Sequence, residues 1–399
     1  MAEGTTTLLN VPPVEDVHLL LQIIEGLGAA VERDWARKAV TIDASRLTSD
    51  TPDSVLVGRL RGSLMLMAPL LARLGSCKLA APGGCSIGAR KFDIHLDGLR
   101  SLGARIDERG PEIEASCLKL VGATLVLDMP THTGTQQLVM AAVTGQGTTT
   151  IWNASQEPEV AQLCRSLVLR GAKISGIATS RLTVEGVKGL RGGTVVCSPS
   201  RLETSLFAMI GCLPGAHLVI EGAAREAEPV LTKLREMGAN FRAPYPQVLE
   251  VEGISPRGLI CCKAATWPYP GFPTDAQPHL MALSCFAKGR SEIRENVYEN
   301  RFRHVPELCR MGAEISIFQE TAYITGPRPL DGTDVVATDL QAGAALLLAA
   351  LGARGTTYIH SYQHLARGYP NLVQRLNGLC TIGTCDRTCL TASSDLVCR

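Results

Sequence analysis

Several stretches of this sequence carry side chains able to move protons or hold anions. Pro82-Gly83-Gly84-Cys85-Ser86-Ile87-Gly88-Ala89-Arg90 places a thiol and a guanidinium five positions apart. Its glycines and proline read as a loop with few steric limits on the backbone. A thiol held open beside a cation can serve as acid or nucleophile; a purely structural turn uses the same residues. Arg61, in Arg59-Leu60-Arg61-Gly62-Ser63, opens an apolar helical run and is either an anion ligand or an ordinary surface charge. Further on, Pro268-Tyr269-Pro270-Gly271-Phe272-Pro273-Thr274-Asp275 pre-sets the backbone and ends on a carboxylate at a helix start. That carboxylate is either a proton acceptor or a helix N-cap. Glu299-Asn300-Arg301-Phe302 and Arg367-Gly368-Tyr369 add guanidiniums, whose planar forks suit carboxylate and phosphate. No Walker loop or Rossmann fingerprint stands in a strand–loop–helix context, so neither ATP nor NAD is supported, and no cofactor is expected.

The elements that must position these residues recur. A glycine opens a short β-branched run at Gly4, Gly75, Gly147, Gly215, Gly289 and Gly355, roughly 70 residues apart. A Gly-Ala pair follows at Gly28-Ala29, Gly103-Ala104, Gly171-Ala172, Gly238-Ala239 and Gly312-Ala313; in the sixth copy it has decayed to Cys380-Thr381. Between the two signatures the pattern is helical. In the run from Glu157 to Gly171, acids and a proline lead, apolar residues recur at three and four, and glycine ends it. Lys173-Ile174 and Leu182-Thr183-Val184 read as strands, Thr124 to Asp128 as a strand, and Thr133 to Val143 as a helix. One repeat is therefore strand–helix–strand–helix–strand–strand. By that template a strand and a helix should precede Gly4, so the chain begins in the middle of its first repeat. The apolar surface they would cover is expected to lie open.

Composition fits this layout. The chain has 399 residues, too many for one ordinary core. A formal net charge of +1 gives no indication of a nucleic-acid or acidic-membrane surface. The start, Met1 to Thr7, has no signal-peptide pattern, and no run of about 18 apolar residues suggests a membrane span. The 14 cysteines then read as free thiols in a reducing cytoplasm. Cys380, Cys385, Cys389 and Cys398 lack the spacing of a zinc site, so no metal is expected there and the tail reads as an altered C-terminus.

The Cys85 loop, followed by Asp93-Ile94-His95 and Leu99 to Ala104, resembles the mobile catalytic loop of the UDP-N-acetylglucosamine enolpyruvyl transferases. Phe272-Pro273-Thr274-Asp275, Glu299-Asn300-Arg301-Phe302, His304 to Leu308, Ala337-Thr338-Asp339-Leu340 and Arg367-Gly368-Tyr369 are similar to the same family, from Ala2 to about Leu379. The resemblance implies an α/β fold of two inside-out barrel domains with three repeats each. The first domain is expected over 1–192, with the seam at Gly192-Gly193, and the second over 193–399, diverging from about 380.

The reaction so implied joins the enolpyruvyl group of phosphoenolpyruvate to the 3-hydroxyl of UDP-N-acetylglucosamine and releases phosphate, in peptidoglycan synthesis. By match, Cys85 is the acid or adduct-forming thiol, and the residue that fosfomycin alkylates in this family. Asp275 takes or orients the hydroxyl proton. Arg61, Arg90 and Arg367 hold phosphoenolpyruvate. Arg61, Arg90, Lys91, Phe92, Asp93, Ile94, Thr131, Asp275 and Val297 border the UDP-sugar, with Glu299 and Arg301 in support. No nucleic acid, membrane or obligate protein partner is implied. The sequence departs from the family at Gln341, where the family has arginine, at Ser200 in Pro199-Ser200-Arg201, and in a Lys-Asn pair that would lie ahead of Met1. Losing cations from a dianion site predicts weak turnover. Transfer to another nucleotide, as in a nucleoside-antibiotic pathway, and a non-catalytic UDP-sugar-binding relative are the alternative readings.

Overall fold

The computed structural model describes residues 1–84, 88, 92–254, 258–376, 382–385 and 395–398. They form two compact units, the first from Met1 to Ser198 and the second from Pro199 onward, with Gly88 counted in the second. Gly192 and Gly193 lie inside a strand, Leu190–Val196.

The repeat signatures have a backbone cause. All six opening glycines have positive φ, from 75° to 107°, and the five glycines of the Gly-Ala pairs lie between 93° and 106°. An L side chain is disfavoured there, so the chain can reverse at these points only with glycine at little cost.

The third repeat shows the unit. Strand Thr124–Val126 lies parallel to Thr148–Trp152, and helix His132–Thr144 makes the crossover between them. Thr148–Trp152 pairs antiparallel with Arg181–Glu185, which pairs with Lys173–Ser175. Helix Pro158–Val168 precedes that hairpin, its proline in the first turn where no backbone donor is needed. The fifth repeat copies this order with Lys263–Ala265, Gly289–Arg294, Thr321–Gly326 and Glu314–Phe318.

In the tail, Ile382–Cys385 and Asp395–Cys398 pair with each other, and Asp395–Cys398 pairs with Thr357–His360, completing the sixth sheet. Cys380 and Cys389 lie outside the described residues. In the first repeat, the position parallel to Ala2–Leu9 is occupied by Leu190–Val196, which returns from the end of the first unit. A parallel pair needs a long connection, and the intervening residues supply it. Helix Glu15–Gly26 buries Leu19 and Ile23 in the main core of this unit. Of residues 1–74, Val55 and Leu74 are the large apolar side chains left well exposed.

The second and fourth repeats have three-stranded sheets. Leu218 and Ile220, on the fourth repeat's first strand, are only half-buried, whereas Ile151, Ile293 and Ile359 on the corresponding strands of other repeats are wholly buried. In the second unit, helix Leu340–Gly352 buries every residue from Gln341 to Ala350. A helix apolar all round belongs inside. Each of Leu346, Leu347 and Leu348 contributes about 1.5–3 kcal/mol by leaving water. That rigid helix carries Asp339 and Gln341 at its start.

Candidate functional site

In the first unit, Arg61 opens a 3-10 turn, Arg61–Leu66, that runs into helix Met67–Leu74. Its guanidinium lies 5.5 Å from the centre of the Phe92 ring. Phe92 precedes helix Asp93–Ser101, so Asp93 sits in the first turn, where the helix dipole favours a negative charge. Ile94 packs on the core and so fixes that turn. His95 is buried, with Nε2 2.9 Å from Thr133 Oγ1. Burial, and then the Arg61 charge, push its pKa down to about 4, so the ring is neutral at ordinary pH. Thr131 N-caps helix His132–Thr144, its Oγ1 accepting the Gly134 N–H at 3.3 Å. Arg61, Phe92, His95 and the Thr131–Thr133 turn thus form one set: a cation against an aromatic face, beside hydroxyls and a neutral imidazole. Cys85, Arg90 and Lys91 lie outside the described residues.

In the second unit, Asp275 lies within the 3-10 turn Thr274–Ala276 that leads into helix Gln277–Ser284. Pro273 holds the N-cap position, so the N-cap reading of Asp275 does not hold. Its carboxylate accepts from Arg301 Nη2 instead. The pair is asymmetric: the Arg301 side chain is 2% exposed and that of Asp275 42%. The arginine anchors from within and the carboxylate faces out.

Glu295 fastens the surrounding loops. Its buried carboxyl accepts from Thr266 Oγ1 at 2.8 Å, Thr274 Oγ1 at 3.0 Å, Val297 N at 2.8 Å and Tyr298 N at 3.2 Å. Burial raises its pKa against the pull of these donors. One group therefore fixes the residue before Asp275 and the turn holding Val297, which leads on to Glu299. A methyl group at Gly88 would run into the Glu299 carboxylate. Arg367 follows the short helix Gln363–Ala366, two residues before the buried Tyr369. Tyr369 donates its hydroxyl to Gln341 Oε1 at 3.0 Å, and Asp339 N-caps the helix that carries Gln341. Arg201, of the Pro199-Ser200-Arg201 departure, is buried with its guanidinium 5.6 Å from the centre of the Tyr269 ring, while Ser200 N-caps helix Arg201–Gly211.

The sequence reading missed His279, Gln277 and the burial of His304. All three are at most 1% exposed. The available signal was a histidine and a glutamine in an otherwise apolar helix, Gln277-Pro278-His279-Leu280-Met281-Ala282-Leu283. Among the described residues no group of three His, Cys, Asp or Glu is placed to hold a metal, and no helix is long and apolar enough to cross a membrane. A cavity of about 560 Å³ opens among Arg225, Arg235, Tyr245 and Pro246, with none of the residues above in its walls.

The family profile for EPSP synthase (3-phosphoshikimate 1-carboxyvinyltransferase) matches residues 1–376. The chain is 42% identical over 380 residues to a UDP-N-acetylglucosamine 1-carboxyvinyltransferase of Dichelobacter nodosus, covering 95% of this chain and 90% of that one. It is 40% identical over 380 residues to the protein of that name from Nitratidesulfovibrio vulgaris, with the same coverage. The enolpyruvyl transferase NikO from Streptomyces tendae matches with a TM-score of 0.85 and 28% identity, over 95% of this chain and 89% of NikO. EPSP synthase from Acinetobacter baumannii has the same fold, with a TM-score of 0.71 and 20% identity over 95% and 90% of the two chains.

Proposed function

The chain belongs to the enolpyruvyl transferase family, among the UDP-N-acetylglucosamine 1-carboxyvinyltransferases, and from that premise we propose that it transfers the enolpyruvyl group of phosphoenolpyruvate to the 3-hydroxyl of UDP-N-acetylglucosamine. The observation that carries this reading is 42% identity over nearly the whole chain to an enzyme of that name. The second unit supports it with an outward carboxylate held by a buried guanidinium.

In this reading Asp275 accepts the proton of the sugar 3-hydroxyl as that oxygen bonds to C2 of phosphoenolpyruvate. A proton from Cys85, or from solvent if Cys85 forms the adduct, goes to C3. The intermediate then loses phosphate and a C3 proton, restoring the double bond. A fixed carboxylate removes the cost of orienting a base in the transition state. Arg61, Arg90 and Arg367 hold the phosphate and carboxylate charge of phosphoenolpyruvate. Arg61, Arg90, Lys91, Phe92, Asp93, Ile94, Thr131 and Val297 border the UDP-sugar. The reaction takes place in the cytoplasm, where free thiols stay reduced.

The test is phosphate release from the purified chain given both substrates, with mass spectrometry of the nucleotide product. Release that needs UDP-N-acetylglucosamine, is blocked by fosfomycin and disappears in Asp275→Ala supports the reading. Absence of release from the native chain refutes it.

A further inference from the structure

The start of helix Gln277–Ser284 holds a concentration of polar atoms that the mechanism does not use. His279 is wholly buried, and neither ring nitrogen has a hydrogen-bond partner. Gln277 is wholly buried with neither amide atom paired. His304 Nε2 and Arg301 Nε are also unpaired. An unsatisfied buried polar atom costs about 1–3 kcal/mol, and several together would consume much of a domain's stability. Such groups are almost always met by protein or by buried water.

Their arrangement is not random. Asp275 lies in the 3-10 turn Thr274–Ala276, which runs directly into helix Gln277–Ser284, so His279 sits in the first turn of that helix, four residues on from the carboxylate. Arg301 joins the set through its ion pair with Asp275, and His304 follows three residues later. The charged and titratable groups that act on His279 are Arg301, Asp275, His304 and Asp339. Those acting on the buried Tyr369, which bonds Gln341, are Asp275, Glu203 and Arg301. Burial first, and then the Arg301 charge, push the His279 pKa down to about 3. The ring is therefore neutral, with one donor and one acceptor.

We propose that His279 is a positioning residue for the proposed reaction, joined through buried water to the inner side of the Asp275 carboxylate and holding it toward the substrate hydroxyl. This rests on Asp275 acting as the base. A water bridge is nearly as strong as a direct hydrogen bond, and it carries one the ring cannot reach. The orphaned atoms of Gln277, Arg301 and His304 supply the further partners such water needs.

The test has an arm that needs no activity. In the native full chain, the nitrogen-15 shifts of the His279 ring should be those of a neutral, hydrogen-bonded imidazole, and Asp275→Asn should move them. Shifts of an unbonded ring, or shifts indifferent to Asp275→Asn, overturn the proposal. The second arm compares His279→Gln with His279→Leu. Glutamine keeps a donor and an acceptor, so kcat should stay within about threefold of native. In His279→Leu kcat should fall about tenfold, with the acid limb of the kcat/KM profile raised by about one pH unit and KM for the UDP-sugar little changed. A folded His279→Leu with an unmoved limb refutes the role. Should that variant not fold, the nitrogen shifts alone decide. A native chain without transferase activity would refute the proposed function, and the ring shifts would still settle the link to Asp275.

Discussion

Asp275→Ala and Arg301→Met should differ sharply in cost, although each breaks the same ion pair. The Arg301 side chain is 2% exposed, so removing Asp275 leaves a guanidinium that water can scarcely reach. Breaking a buried pair in that way costs about 3–5 kcal/mol. The Asp275 side chain is 42% exposed, so removing Arg301 leaves a carboxylate that water can solvate. Methionine fills much of the same space and ends the burial of charge, so Arg301→Met should change stability by within about 1 kcal/mol. For a unit of this size the first change should lower Tm by about 6–20 °C. The double variant should behave like Arg301→Met alone, giving a coupling equal to the Asp275→Ala cost, about 3–5 kcal/mol. The reporter is Trp267 in the second unit, in a background where Trp35 and Trp152 of the first are phenylalanine, with unfolding followed in urea and on heating. If Arg301→Met is as damaging as Asp275→Ala, or the double variant no better than Asp275→Ala, burial asymmetry does not govern this pair.

Acid should separate the two units. His279 and His304 of the second fall to about 3, and His95 of the first to about 4, all mainly by burial. A histidine with a lowered folded pKa leaves the unfolded chain binding more protons, so its contribution is intact above about pH 6.5 and is lost as pH falls toward the folded value. Each histidine contributes a slope of up to about 1.4 kcal/mol per pH unit, so the two of the second unit should weaken it more steeply than the one of the first between about pH 6 and 4. Glu295, raised by burial, acts in the opposite sense near its own range. Equal slopes in unit-specific urea titrations would count against the neutral-histidine assignment. Gln341→Arg removes the acceptor of the Tyr369 hydroxyl and buries another cation, so the ligand-free protein should lose about 2–4 kcal/mol. Phosphoenolpyruvate should recover part of that loss and phosphate release should rise; an unchanged melt with and without it would contradict the assignment. Fosfomycin should label Cys85 ahead of Cys164, Cys212 and Cys285, whose buried thiols are pushed to about 11, 12 and 12. Peptide mapping that finds these three modified first would remove the reactive-loop reading.

What the sequence determined by itself was set by local physics. The six glycine openings and five Gly-Ala pairs were visible because each needs a left-handed residue, a demand met within one or two positions. Helix His132–Thr144 and its strand neighbours were legible for a like reason, since period and capping are read within a turn or two. Tertiary structure decided what spans distance. Leu190–Val196 lies beside Ala2–Leu9, nearly the whole first unit away in sequence, and no local pattern announces that pairing. The tail's strand Asp395–Cys398 pairs with Thr357–His360, a partner about forty residues earlier that no local signature names. From its neighbours alone Asp275 was either a proton acceptor or a helix cap; only the fold brings Arg301 to it and buries His279 four residues on. A side chain's burial and partner depend on what packs over it, and residues far along the chain supply that cover.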